Sequence, residues 1–263
     1  MDPLILSGIV LAVVFMDGVI GLQLQRTLPE DWTTGGARDM TGAVVGLVTL
    51  LLALVLGLLI WSAYGVYSTQ RASIQTFAIN GLKFDEALQE YGPEAAEGRQ
   101  ILRKGLKRTI AQIWGGRYDG DFLIKNYSYS LANVQDREAY LNSLEPATDK
   151  QRTAKADASR ASEAMGQTRL LLAMALIDHI SYPLIAVVVA WATCLFCGYG
   201  LLSKRHPMSY ITLGAGTLAI ASAIYSIADL SSPYSGLFVV SPAPIMDVFA
   251  AVDAAAQPAG VKR

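Results

Sequence analysis

The chain has 263 residues, of which 16% are charged and 52% hydrophobic, against roughly 25% charged in an average soluble protein. A formal net charge of -1 offers no basic surface for nucleic acid, so no nucleic-acid partner is expected. Two cysteines, Cys194 and Cys197, make no disulfide framework. What the composition admits is an integral membrane protein, because the apolar residues gather into runs near the roughly 20 residues a bilayer-spanning helix needs.

Four such runs follow in chain order. The first covers Pro3 to Leu24; with no basic residue ahead of it and no small-residue cleavage site behind, it is expected to persist as a span, not to be removed as a leader. The second covers 41–66, and since no proline interrupts the pattern before Pro93, its helix is expected to project well past the bilayer. The third runs from Tyr182 to Leu202, led in by the apolar stretch 170–177, and the fourth from Met208 to Leu230. The fold expected is therefore all-α, a polytopic membrane protein with four transmembrane helices. Its two hairpins are 3–66 and 169–230, and a helical extramembrane domain, 67–168, is inserted between helices 2 and 3.

In that domain basic and acidic residues nearly balance and apolar residues recur with helical period, which argues a folded helical unit and not a disordered linker. Gly92 and Pro93 punctuate it, a helix is predicted from Pro93 to Trp114, and Gly115 to Asp121 reads as a break. A shorter helix is expected at 134–144, and Thr148 or Asp149 is placed to cap a long helix leading to the third span. After the fourth span come a juxtamembrane turn with a short helix, 231–252, and a flexible tail, 253–263.

Four crossings put both termini on the side of the 67–168 domain. Arg26, Arg38, Lys204 and Arg205 in the short loops argue that this side is outside the cytoplasm, but Arg71, Lys155, Arg160 and Arg169 flank the same helices at their other ends. The two sets cancel and assign no side.

The second span carries Gly42, Gly46, Thr49, Ala53 and Gly57 at spacings of four, three, four and four, a narrow strip of small side chains. Such strips let helices approach closely where lipid removes the hydrophobic driving force; facing the axis of an oligomer, the same strip would leave room for an ion. Ala215, Ala219, Ser222, Ser226 and Asp229 form a matching strip on the fourth span, and the two are expected to face each other. Leu50, Leu54 and Ile60 are candidates for an apolar constriction.

Asp17, Asp178, His179 and Asp229 are the membrane-proximal ionisable groups, each of which needs a partner or water at that depth. Structural hydrogen bonding competes with ion contact at all four; the Asp229 carboxylate is placed to accept from the N–H groups of Ser231 and Ser232. Arg99, Arg103, Lys104, Lys107 and Arg108 oppose an apolar helix face, either as a solvated surface or as a face that rests on lipid headgroups or attracts anions. Cys194 and Cys197 are read as packing residues. With two histidines, no GxSxG, no HExxH, no phosphate loop and no dinucleotide fingerprint, neither an enzyme, nor a cofactor, nor a metal site is expected.

The stretch Thr41-Gly42-Ala43-Val44-Val45-Gly46-Leu47-Val48-Thr49, continued by Ala53 to Leu59, resembles the second helix of a bacterial membrane family described as bestrophin-like. Tyr91 to Ala96, Pro183 through Trp191 to Leu201, and Asp229 to Gly236 with Ser241-Pro242 match three further segments of that family in order, so the likeness covers about 40–252. It departs at Ser62, where some members carry an acidic residue, and at Ser232, where the family often carries Arg. The resemblance implies a homo-oligomer in a bacterial cytoplasmic (inner) membrane, with the bilayer as its partner. It further implies an anion channel whose axis the second helix lines, by analogy of helix order alone. The competing reading is a non-conducting accessory or scaffold subunit of a larger membrane complex.

Overall fold

The structure is a computed structural model that describes residues 2–27, 29, 35–115, 127–174, 182–203, 206–234 and 236–256. Among them are eight α-helices and no strand: α1 (Pro3–Thr27), α2 (Gly35–Tyr91), α3 (Ala96–Trp114), α4 (Tyr127–Ser143), α5 (Asp149–Met174), α6 (Tyr182–Leu202), α7 (Pro207–Leu230) and α8 (Ala243–Ala256). Four of them, α1, α2, α6 and α7, are long and apolar enough to cross a membrane. The chain divides into two compact units, residues 1–66 with 179–232 and residues 67–178 with 233–263.

Helix ends follow local chemistry. α2 runs 57 residues and stops where Gly92 adopts φ 121°, a conformation that L side chains rarely take, one residue before Pro93 opens a short 3-10 turn. α5 is preceded by Thr148, whose Oγ1 accepts from Gln151 N–H at 3.2 Å while Gln151 Oε1 accepts from Ala147 N–H at 2.9 Å, a reciprocal capping arrangement. α7 starts with Pro207 at its first position, behind His206, whose Nδ1 accepts from Met208 N–H at 3.2 Å.

In the first unit α1 packs against both α6 and α7. Its contact face is Val10, Val14, Gly18, Gly21 and Leu22. A Cβ on Gly200 of α6 would lie 2.5 Å from Gly18 O and 2.7 Å from Leu22 N, and one on Gly21 would collide with the carbonyl of Cys197. The two helices therefore meet backbone on backbone, as close-packed membrane helices do. α2 joins through Val45, Leu52, Leu59 and Ala63, its buried residues within this unit; Val45 Cγ2 fills the space where a Cβ on Gly198 would stand, 2.5 Å away.

The second unit has a continuous apolar core. Gln70, Ile74, Phe77, Gly81, Phe84, Leu88 and Tyr91 of α2 are buried at alternating spacings of four and three, the seam of a coiled-coil-like helix. Leu102 and Leu106 of α3, Leu141 of α4 and the small-residue seam Ala154, Ala158 and Ala161 of α5 complete it. Residues after the fourth span join this core: Val240, Ile245, Val248 and Val252 are buried in it. Trp114 Nε1 donates to Val240 O at 2.8 Å, and Tyr234 OH donates to Gln70 Oε1 at 2.6 Å. Residues 253–256, expected to belong to a flexible tail, are helical instead: α8 continues to Ala256, where Val252 is buried and Asp253 pairs with Arg103; the rest of the expected tail lies outside the described residues.

Candidate functional site

On an α-helix each residue advances by about 100°, and α2 between 40 and 63 presents three distinct strips. Val45, Leu52, Leu59 and Ala63 form the buried one. Roughly opposite, Met40, Val44, Leu47, Leu51, Leu54, Leu58 and Trp61 recur at four-three spacing and are all exposed large apolar side chains. Between them lies the small-residue strip. Gly46, Ala53 and Gly57 are exposed and Gly42 is half-buried, and a Cβ placed on any of the three glycines would have no atom within 4 Å.

The expected pairing of the two small-residue strips is therefore not found. On α7, Ala215, Ala219 and Ser222 are exposed, and the buried face is instead Leu213, Thr217, Ala221, Ile224 and Ile227. Ser222 donates to Ala219 O at 2.7 Å and Ser226 to Ser222 O at 2.9 Å, so these hydroxyls are satisfied within their own helix and need no partner on α2. The glycines that do bring helices together are Gly18, Gly21, Gly198 and Gly200. Their signal in the sequence is Gly18-Val19-Ile20-Gly21 set against Gly198-Tyr199-Gly200, a pair easily passed over beside the longer strip of α2.

Thr49 is the polar member of the strip. Its Oγ1 lies 2.8 Å from Val45 O and 3.1 Å from Tyr199 OH. A hydroxyl has one proton; with that of Thr49 given to the helix carbonyl, the phenol of Tyr199 is the donor to Thr49. The constriction candidates Leu50, Leu54 and Ile60 are 75%, 61% and 37% exposed, so nothing within the chain covers them fully.

Asp17 is half-buried and lines a pocket of about 580 Å3 with Met40, Thr41, Val44, Thr193, Cys194 and Cys197. Its carboxylate is the acidic member of an otherwise weakly polar wall. Asp229 is fully buried, and its Oδ1 accepts from Tyr225 OH at 3.5 Å. The amides expected to serve its carboxylate go to main-chain carbonyls instead, Ser231 N–H to Ile227 O at 3.3 Å and Ser232 N–H to Asp229 O at 2.9 Å, because the helix ends in a tight turn that captures them. Asp178 and His179 lie outside the described residues.

The basic face of α3 is mostly occupied by its own domain. Arg99 pairs with Asp85 at 2.7 Å, Arg103 with Asp253, and Arg108 lies 3.7 Å from Asp136. Lys104 and Lys107 are exposed. No group of three or more metal-binding side chains occurs among the described residues.

Comparison with known proteins returns one family model, described as Bestrophin-like domain, which matches residues 10–245. Neither a curated protein nor a solved structure matches the chain.

Proposed function

The chain belongs to the bestrophin-like family, and from that membership we propose that it is an integral membrane protein that assembles with copies of itself into an anion-conducting channel. The observation that carries this reading is the uncovered small-residue strip of α2, with open space beside Gly42, Gly46 and Gly57. Turned toward an oligomer axis, it provides width without charge, while the neighbouring apolar strip meets lipid or the next copy. Leu50 and Ile60, beside the small-residue strip, then narrow the path, Leu54 standing with the apolar strip, and backbone dipoles with Thr49 supply its weak polarity. Both termini and the 67–168 domain lie on one side of the membrane in this arrangement.

Ion flux from proteoliposomes holding the purified protein, with oligomeric mass measured in parallel, tests the reading. Ala53→Leu adds bulk to the strip at a position exposed in the single chain, so it is expected to cut chloride flux by about tenfold or more while leaving the thermal unfolding midpoint unchanged. Leu58→Ala, on the other exposed strip, is expected to conduct like the parent. Equal flux from parent and Ala53→Leu removes the strip from the ion path. Absence of flux from a verified oligomer moves the strip to helix packing and the protein to a scaffold role.

A further inference from the structure

The helical domain holds a buried polar cluster whose charges do not balance. α4 turns one face inward, and its buried residues are Asn133, Arg137 and Leu141, followed by Leu144, so a guanidinium and an amide stand where apolar side chains are the rule. Arg137 is 5% exposed. Among the described residues its hydrogen bond is from Nε to the neutral Ser162 Oγ at 3.0 Å on α5, and no carboxylate lies within ion-pair distance of it. The carboxylates beside it in sequence, Asp136 and Glu138, are on the exposed side of α4. Burial, and secondarily the Arg169 guanidinium, push the Arg137 pKa down to about 10.

Asn133 adds an independent observation. Its Oδ1 accepts from Arg108 Nη1 at 3.1 Å, which fixes the amide orientation. Its Nδ2 is then a fully buried N–H donor with no acceptor. Asn133 and Arg137 are four residues apart, hence on one helix face. Across from them Ser162, Gly166 and Arg169 share a face of α5. Arg169 also donates to Thr109 Oγ1 at 3.0 Å and to Gln112 Oε1, bringing α3 to the cluster. A buried donor without an acceptor, beside a buried cation that has no carboxylate within ion-pair distance among the described residues, has one common remedy, a bound anion. Water would satisfy the amide and leave the charge.

We propose that Asn133, Arg137 and Ser162, with Arg169 behind them, form an interior site for one small inorganic anion of chloride size in the helical domain. Enclosure favours a small ion: Asn133, Arg137 and Ser162 are 5%, 5% and 1% exposed, and a Cβ on Gly166 of α5 would lie in ordinary van der Waals contact with Val134 of α4, at 3.6 Å. The inference stands whether or not α2 lines a pore. Its consequence is a domain whose stability depends on halide.

The full chain in detergent, at constant potassium concentration with gluconate replaced stepwise by chloride, bromide or sulfate, tests this. The thermal unfolding midpoint is expected to rise saturably with chloride and with bromide, and not with sulfate beyond the gluconate baseline. Asn133→Asp places a carboxylate one turn from Arg137 and substitutes for the ion: its midpoint in gluconate is expected to reach the parent's value in chloride, with no further response. Arg137→Gln is expected to weaken the chloride half-saturation by about tenfold or more, the scale of one lost charge-assisted hydrogen bond. A flat parent response, an unaltered chloride response in Asn133→Asp, or equal stabilisation by sulfate overturns the proposal.

Discussion

The two units reach compactness by different physics. In the first, α1 and α6 meet through Gly18, Gly21 and Gly200 with main-chain atoms in direct contact, while large apolar residues such as Met16, Leu47, Trp61 and Ile211 stay exposed. In the second, Phe77, Phe84, Leu88, Leu102 and Met165 are buried in a continuous apolar core. The contrast follows from solvent. Lipid is as apolar as leucine, so helices inside it gain from close approach and dispersion; water drives large side chains inward. α2 contributes to both units, and its buried positions change character between Ala63 and Gln70, from sparse contacts to a regular four-three seam.

The largest effect tests the second regime. Phe84 is fully buried, and Phe84→Ala is expected to cost about 3–5 kcal/mol through lost transfer energy and the cavity left behind. Segment-resolved hydrogen exchange should show protection lost across Leu102 to Leu106 of α3, with α1 protected as before. Loss of protection in α1 as well would show that the two units unfold as one, and the comparison would fail.

Gly200→Val comes next. Its side chain would meet Gly18 O and Leu22 N, backbone atoms that no rotamer change can move. A cost of about 3 kcal/mol, the upper end for overpacked sites, is expected. It should appear as exchange in α1 and α6, with the Phe84 core unaffected. A neutral Gly200→Val would mean that the backbone contact does not set the stability of this unit.

What the sequence made legible divides along the same line. Helix ends could be read where Gly92-Pro93 and Thr148 act locally: the end of α2 and the start of α5 depend on residues within a turn of them. The inward faces of the second unit carried a period that water imposes. The inward faces of α1, α6 and α7 did not, because a helix apolar on every side has no polar face to mark the outside. That is why spacing alone pairs the small strips of α2 and α7, while the close contacts are made at Gly21 and Gly200. Arg137 and Asn133 were hidden for the converse reason: polar residues on an amphipathic helix read as solvent-facing, and only stepping back by fours from Leu141 puts them inside.

The smallest expected effect is the one that separates packing from conduction at Thr49. Thr49→Val keeps the shape and removes the hydroxyl that accepts from Tyr199. Interhelical hydrogen bonds in membranes average about 0.6 kcal/mol, so the unfolding midpoint should fall slightly. Tyr199→Phe should cost a similar amount, and the double variant no more than either alone, since both remove one bond. Flux sharpens the result. If Thr49→Val and Tyr199→Phe alter conduction equally, the hydroxyl acts by fixing α2 against α6, and the polar atom of the strip is structural. If Thr49→Val alone alters it, the hydroxyl also faces the ion. Tyr199 is bound to the same oxygen and is 41% exposed, so its removal frees that oxygen without changing the width of the strip, and the two contributions can be measured apart.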